Sequence, residues 1–283
     1  MVGDRQGDAE RRPRRASNDR ASSNSGHYRP RDHRPRDQRP GAPRPGKAGQ
    51  ARSSQSADDA EPRTDGPRLP ADVEAKQLAP DVRRELVTLD KATADFVARH
   101  LVMAGNLLDE DPEAALAHAR AARSRAGRIA VVREAVGIAA YHCGDWAQAL
   151  AELRAARRMG SRSVLLPMIA DCERGVGRPE RALELARSDD AAALTGEDAD
   201  ELRIVMAGAR SDLGQFEQAL ALLSTPQLDP TSSGATAARL FYAYADTLLA
   251  LGRSDDALQW FINAAGADID GITDAEDRIT ELS

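Results

Sequence analysis

Cysteine is almost absent from this 283-residue sequence: Cys143 and Cys172 are the two thiols. Two thiols build no disulfide framework, and nothing pairs them with histidine at zinc-ligand spacing, so neither a metal site nor a cofactor is expected. No run of about 18 apolar residues occurs, so no membrane span is expected. The start, Met1-Val2-Gly3-Asp4-Arg5, is polar and leads into no apolar stretch, so no secretory signal is expected either. A soluble, cytoplasmic protein is the expectation. Catalytic signatures are missing too. Gly175-Val176-Gly177 is a lone Gly-x-Gly, and neither a Gly-x-Ser-x-Gly elbow nor a His-Glu-x-x-His helix occurs. His142 and Cys143 are sequence neighbours, and adjacent helical residues point in different directions, so they form no nucleophile–base pair. No enzyme is expected.

What is present divides into two unlike parts. Residues 1–70 hold 16 Lys+Arg against 10 Asp+Glu, a net +6, whereas residues 71–283 hold 23 against 35, a net −12. Nine of the 15 prolines fall in the first part, with Tyr28 as its one aromatic residue. A stretch so polar and proline-rich buries too little apolar surface to offset its ordering entropy, and 1–70 is expected to be a disordered basic tail. Residues 71–283 are long enough to build a core.

That second part repeats itself. Ala-Leu recurs at Ala115, Ala149, Ala182, Ala219 and Ala257, in steps of 34, 33, 37 and 38 residues. Five residues before the last four alanines stand Gly144, Gly177, Gly214 and Gly252; the first copy has Glu110 in the turn Leu108–Pro112. Four residues after each alanine comes Ala119, Leu153, Ala186, Leu223 or Phe261. Each unit reads as helix, glycine turn, helix. The glycine takes the left-handed conformation that ends the first helix. Asp111 and Asp145 suit the next N-cap, and Pro112 and Pro179 suit the first helical turn. The alanine is small where two helices must approach.

This spacing resembles the tetratricopeptide repeat, a helix–turn–helix unit of about 34 residues. Val136-Gly137, Gly144-Asp145-Trp146, Ala149, Leu153 and Ala156 make the best copy. The copies are degenerate: the family's tyrosine position holds Asn106, Ala140, Glu173, Arg210 and Leu248. The fold expected is all-α, a right-handed solenoid of helical hairpins behind the disordered tail. Residues 71–92 are expected to cap its start, with Val82, Leu86 and Leu89 at helical spacing. Five hairpins are expected over 93–267. A short closing helix over 268–283 is expected to open on the capping box Thr273-Asp274-Ala275-Glu276. Ser188–Asp200 and Ser224–Thr236 read as extended connections. Both cysteines and Trp146, Phe216, Trp260 and Phe261 read as core.

The resemblance implies a binding scaffold whose concave face is lined by the first helices. Carried over position by position, that face includes His100 in the first repeat and Glu134, Ile138, Tyr141 and His142 in the second. It includes Asp171, Arg174 and Gly175 in the third, Glu201, Gly208 and Asp212 in the fourth, and Arg239, Tyr242 and Asp246 in the fifth. The Lys/Asn/Lys/Arg clamp with which some members hold C-terminal carboxylates is missing, since no lysine follows Lys91. A lining of carboxylates and tyrosines favours a basic or amphipathic peptide or protein partner.

The tail repeats Arg-Pro at Arg29, Arg34, Arg39 and Arg44, with Arg31 and Arg36 between. Such a stretch stays extended with its guanidinium groups exposed. An inert linker, an arm for RNA, the ribosome or another polyanion, and a segment that docks on the acidic repeats all fit it. On the polyanion reading, deleting residues 1–70 weakens RNA binding and flattens its salt dependence. Unchanged RNA affinity across a salt series removes that reading.

Overall fold

A computed structural model describes residues 66–283. The Arg-Pro segment, from Arg29 to Arg44, lies outside the described residues. The described residues form helices and turns with no strand among them: α1 (Pro80–Glu85), α2 (Lys91–Asn106), α3 (Pro112–Ala126), α4 (Ala130–His142), α5 (Trp146–Arg158), α6 (Leu166–Gly175), α7 (Pro179–Leu185), α8 (Asp189–Ala192), α9 (Glu197–Asp212), α10 (Phe216–Leu223), α11 (Ala235–Ala250), α12 (Ser254–Ala267) and α13 (Ala275–Leu282). Helices α2–α3, α4–α5, α6–α7, α9–α10 and α11–α12 pair as hairpins, and α4, α6, α9 and α11 also pack on the hairpin before them. The fold is the expected all-α stack.

The hairpin turns share one construction. Gly144, Gly177, Gly214 and Gly252 have φ of 70°, 75°, 69° and 74°. In the second hairpin the Gly144 amide donates to the Tyr141 carbonyl at 2.9 Å, and the Asp145 amide donates to that of Ala140 at 2.9 Å. These two bonds satisfy carbonyls that the end of α4 leaves open. Asp145 then turns its carboxylate to the Gln148 amide and starts α5. Asp111 caps α3 in the same way, and Pro112 and Pro179 occupy first helical positions.

Packing follows from the repeat. All five Ala-Leu alanines are fully buried, and so are Leu153, Leu223 and Phe261 four residues on. Where α4 meets α5 even a methyl is excluded: a Cβ on Gly137 would lie 2.7 Å from the Leu153 side chain. At the start of the stack Leu86, Val82 and Leu89 pack with Val97, Leu101 and Val132.

Some local features differ from expectation. The capping box does not form: α13 starts from Asp274 with no side-chain cap, because Thr273 gives its hydroxyl and amide to Asp268. The connection after α7 contains α8, and Glu197 already opens α9. Asp189, Asp190, Glu197 and Asp198 are therefore first-turn residues, where a helix dipole favours carboxylates. Cys172 is core, whereas Cys143 is the half-buried C-cap of α4.

His100 is likewise not on an open face. It is buried between α2 and α3, its Nδ1 2.9 Å from Nδ1 of His118. One Nδ1 must carry a proton and the other must lack one, so the pair is stable as two neutral rings. Burial, with His118, Arg99 and Arg125 nearby, pushes the His100 pKa down to about 4, and burial lowers that of His118. With folded values below the unfolded one, the unfolded chain takes protons first, so stability is complete above pH 7 and falls as the pH drops toward 4. His100 alone should cost ~2 kcal/mol between pH 7 and 5. Urea unfolding of the wild type and of His100→Gln checks this; equal losses in both chains would overturn it.

Candidate functional site

Apart from His100, the residues that sequence reasoning places on the first-helix face lie on α4, α6, α9 and α11, but they form separate groups. Tyr141, Asp171, Arg174 and Asp212 join into one network across α4, α6 and α9. The Tyr141 hydroxyl donates to Asp171 Oδ2 at 2.6 Å. Arg174 donates through Nη1 to Asp171 Oδ1 at 2.7 Å. Through Nε and Nη2 it holds both oxygens of Asp212, at 2.8 and 3.2 Å. Burial and the Asp171 carboxylate push the Tyr141 phenol well above its ordinary pKa, so it remains a donor.

Two glycines make room for this network. A Cβ on Gly208 would lie 2.4 Å from Cζ of Arg174, and one on Gly175 2.4 Å from Cγ of Trp146. The guanidinium therefore lies on the bare backbone of α9, and the indole lies on that of α6. Trp146 also meets Tyr141 edge-on at 5.1 Å. A pocket of about 630 Å³ opens here, lined by Trp146, Asp171, Arg174, Gly175, Gly177, Pro179, Glu180, Asp212 and Leu213.

The other residues are placed differently. Arg239 pairs with Glu201 between α11 and α9. Glu134 accepts the hydroxyls of Ser161 and Ser163 at 2.6 and 2.5 Å. His142 is exposed, its ring 6.1 Å from that of Tyr141. Tyr242 and Asp246 turn toward α13. Burial and Asp274 raise the Tyr242 pKa to about 12, and Asp246 lies 3.5 Å from Arg278. The carboxylates expected to await a basic partner are thus largely engaged by this chain's own side chains. Ile138 belongs instead to an apolar trough of about 210 Å³, lined with Leu78, Val82, Leu101, Ala104, Gly105, Leu108, Val131, Glu134 and Ala135.

Sequence reasoning missed that trough and assigned Trp146 wholly to the core. Leu78 and Val82 come from the segment preceding the repeats, so no repeat position points to them. Trp146 opens α5, a second helix, and reaches the pocket because the residue facing it is glycine. Among the described residues no group of three or more His, Cys, Asp or Glu is placed to hold a metal.

Taken together, the hairpins and their shared turn define a helical-repeat protein. Residues 167–272, which span the third to fifth hairpins, match the family model described as tetratrico peptide repeat, and the chain carries tetratricopeptide repeats there. The second hairpin, whose residues come nearest the repeat pattern, lies outside the matched residues. No curated protein matches. Among solved structures, YrrB, described as a TPR protein with an unusual peptide-binding site, is 20% identical, with a TM-score of 0.40 over 61% of this chain and 86% of its own. PilF of Pseudomonas aeruginosa is 14% identical, with a TM-score of 0.45 over 68% of this chain and 90% of its own.

The seat of Arg174 can be tested by a change of sign. Alanine is intrinsically better in a helix than glycine by up to about 1 kcal/mol. In the wild type Gly208→Ala displaces the guanidinium from Asp212, and a net loss of ~1–2 kcal/mol is expected. In an Arg174→Ala background the same substitution should be neutral or stabilising. Urea unfolding of the four chains reads both outcomes, and equal effects in the two backgrounds would show that the seat has no energetic role.

Proposed function

We propose that the protein is a non-catalytic scaffold that holds a peptide or protein partner on the concave, first-helix face of its repeats. The observation that carries this reading is the linkage of trough and pocket along α4. Ile138 lines the apolar trough, and Tyr141, one turn further on, bonds Asp171 in the wall of the pocket. An apolar channel beside a polar, aromatic-walled recess suits a segment that buries spaced apolar residues and presents a polar one. The tetratricopeptide repeats support the same reading, because a stack of hairpins presents an extended surface built from many elements. On this face Tyr141, Asp171, Arg174 and Asp212 are bonded to one another as one network. Among the described residues of this face no nucleophile stands against a base with a third group orienting it, which is the arrangement that acyl-transfer chemistry requires.

The alternative, a factor acting on RNA or the ribosome through the basic tail, concerns residues outside those described, and nothing on the repeats favours it.

Selection of phage-displayed random peptides on the immobilised full chain tests the proposal. Enriched peptides should carry apolar residues at regular spacing. Ile138→Asp should weaken their binding at least about tenfold through the loss of one buried anchor, with the circular dichroism spectrum unchanged. No enrichment over an unrelated helical protein, or enrichment indifferent to Ile138→Asp, would remove the reading.

A further inference from the structure

The scaffold reading leaves open what the pocket beside Trp146 selects. Resting on that reading, we propose that this pocket seats one basic side chain, arginine or lysine, of the protein partner. Its stem would lie along Trp146, Pro179 and Leu213, and its charged head between Asp212 and Glu180.

The first argument is charge. The lining sets three carboxylates, Asp171, Glu180 and Asp212, against the single guanidinium of Arg174. Arg174 is committed, since each of its three nitrogens already donates to Asp171 or Asp212. It therefore neutralises one charge, and its Nε/Nη2 fork is already filled by Asp212. The recess keeps a negative balance, and two of its carboxylates, Glu180 and Asp212, are exposed.

The backbone leaves that sign to the side chains. Helices α4, α6 and α9, of 13, 10 and 16 residues, all end at this edge, with Tyr141, Arg174 and Asp212 in their last turns. Helices α5 and α7 start at the same edge, with Trp146 and Pro179, so the opposed helix dipoles offset one another and the carboxylates set the sign of the recess.

The second argument is the wall. Trp146 is fixed by contact with the Gly175 backbone and by the edge-on Tyr141 ring at 80°. A fixed indole beside carboxylates gives a long basic side chain an apolar surface for its methylenes and a π face for its charge. The volume, about 630 Å³, lies within the range of side-chain and small-ligand pockets.

The test follows the two indole N–H resonances of the full chain, assigned with Trp260→Phe, at low salt. Three capped tripeptides are titrated: Gly-Arg-Gly, Gly-Lys-Gly and Gly-Gln-Gly. The Arg and Lys peptides should shift the Trp146 resonance saturably and leave that of Trp260 in place. The neutral Gln peptide should need at least about tenfold more for the same shift, because it brings no charge to the carboxylates. Glu180→Gln combined with Asp212→Asn should remove the preference for charge. Glu180→Gln alone alters an exposed residue, spares the Arg174 network and should weaken the Arg peptide measurably. A Gln peptide that acts like the Arg peptide, a shift that does not saturate, or a double variant that binds as the wild type does would overturn the proposal. Phage peptides that depend on Ile138 but carry no basic residue would refute this pocket's role while leaving the scaffold reading intact. Saturable Arg binding without any phage enrichment would do the reverse.

Discussion

The bond from the residue after each turn glycine back to a carbonyl five positions earlier is the constraint on which the rest of the stack depends. It recurs from Asp145 to Ala140, Arg178 to Glu173, Gln215 to Arg210 and Arg253 to Leu248, at 2.8–3.0 Å. The glycine can close this ring because its φ of about +70° costs it nothing, whereas a side chain there would be strained. The bond also explains the degeneracy of the repeats. The accepting residues stand where the tetratricopeptide family places tyrosine, but the turn uses their carbonyls. The bond itself asks nothing of their side chains, and here they are alanine, glutamate, arginine and leucine, three of them buried. By fixing where each first helix ends, the turn also sets the edge at which Tyr141, Arg174 and Asp212 converge.

Freedom at that position has been used for charge. Glu173 is 1% exposed and is paired with Arg154 of the preceding hairpin. Glu152, also buried, takes Arg123 at 3.0 Å and Arg133 at 2.8 Å, which tie α3 and α4 to α5. A buried carboxylate is costly unless paired, so such contacts add less to stability than to register. Sliding one hairpin past the next by a turn would leave Glu152 or Glu173 without a partner, and would drive Trp146 off the bare backbone of Gly175.

The legible part of the fold was the part that repeats. Spaced Ala-Leu pairs and turn glycines report on neighbours within one hairpin, and the same physics acts at every copy. Features that cross between elements left no such trace. Glu152 and Arg133 are 19 residues apart, Arg174 and Asp212 are 38 apart, and only the angle between helices brings them together. The His100–His118 pair was hidden for the same reason, since a family position assigned to the groove says nothing about the neighbouring helix that covers it. The capping box at Thr273 failed through local competition, because Asp268 offered the hydroxyl and the amide a carboxylate. For the candidate site, Tyr141, Asp171, Arg174 and Asp212 were all named from sequence, yet as four separate contacts for a partner. That they hold one another follows from the bare backbone of Gly208, which lets a guanidinium lie between α6 and α9.

The self-pairing changes what the acidity of this domain means. A net −12 over residues 71–283 suggests a surface waiting for cations. Salt bridges within the chain take up much of that charge without removing it. Arg174 and Arg239 turn Asp171, Asp212 and Glu201 from open ligands into oriented ones, with lone pairs directed by the bonds they already make. An oriented carboxylate discriminates better than a free one. Its remaining acceptor directions are fixed, and a partner's guanidinium must match them or forgo the bond. A diffuse negative surface would attract any basic chain and release it with modest salt. On the proposed reading, the network at Tyr141, Asp171, Arg174 and Asp212 would instead confine recognition to one aromatic-walled recess, where an all-helical stack could distinguish one basic segment from another.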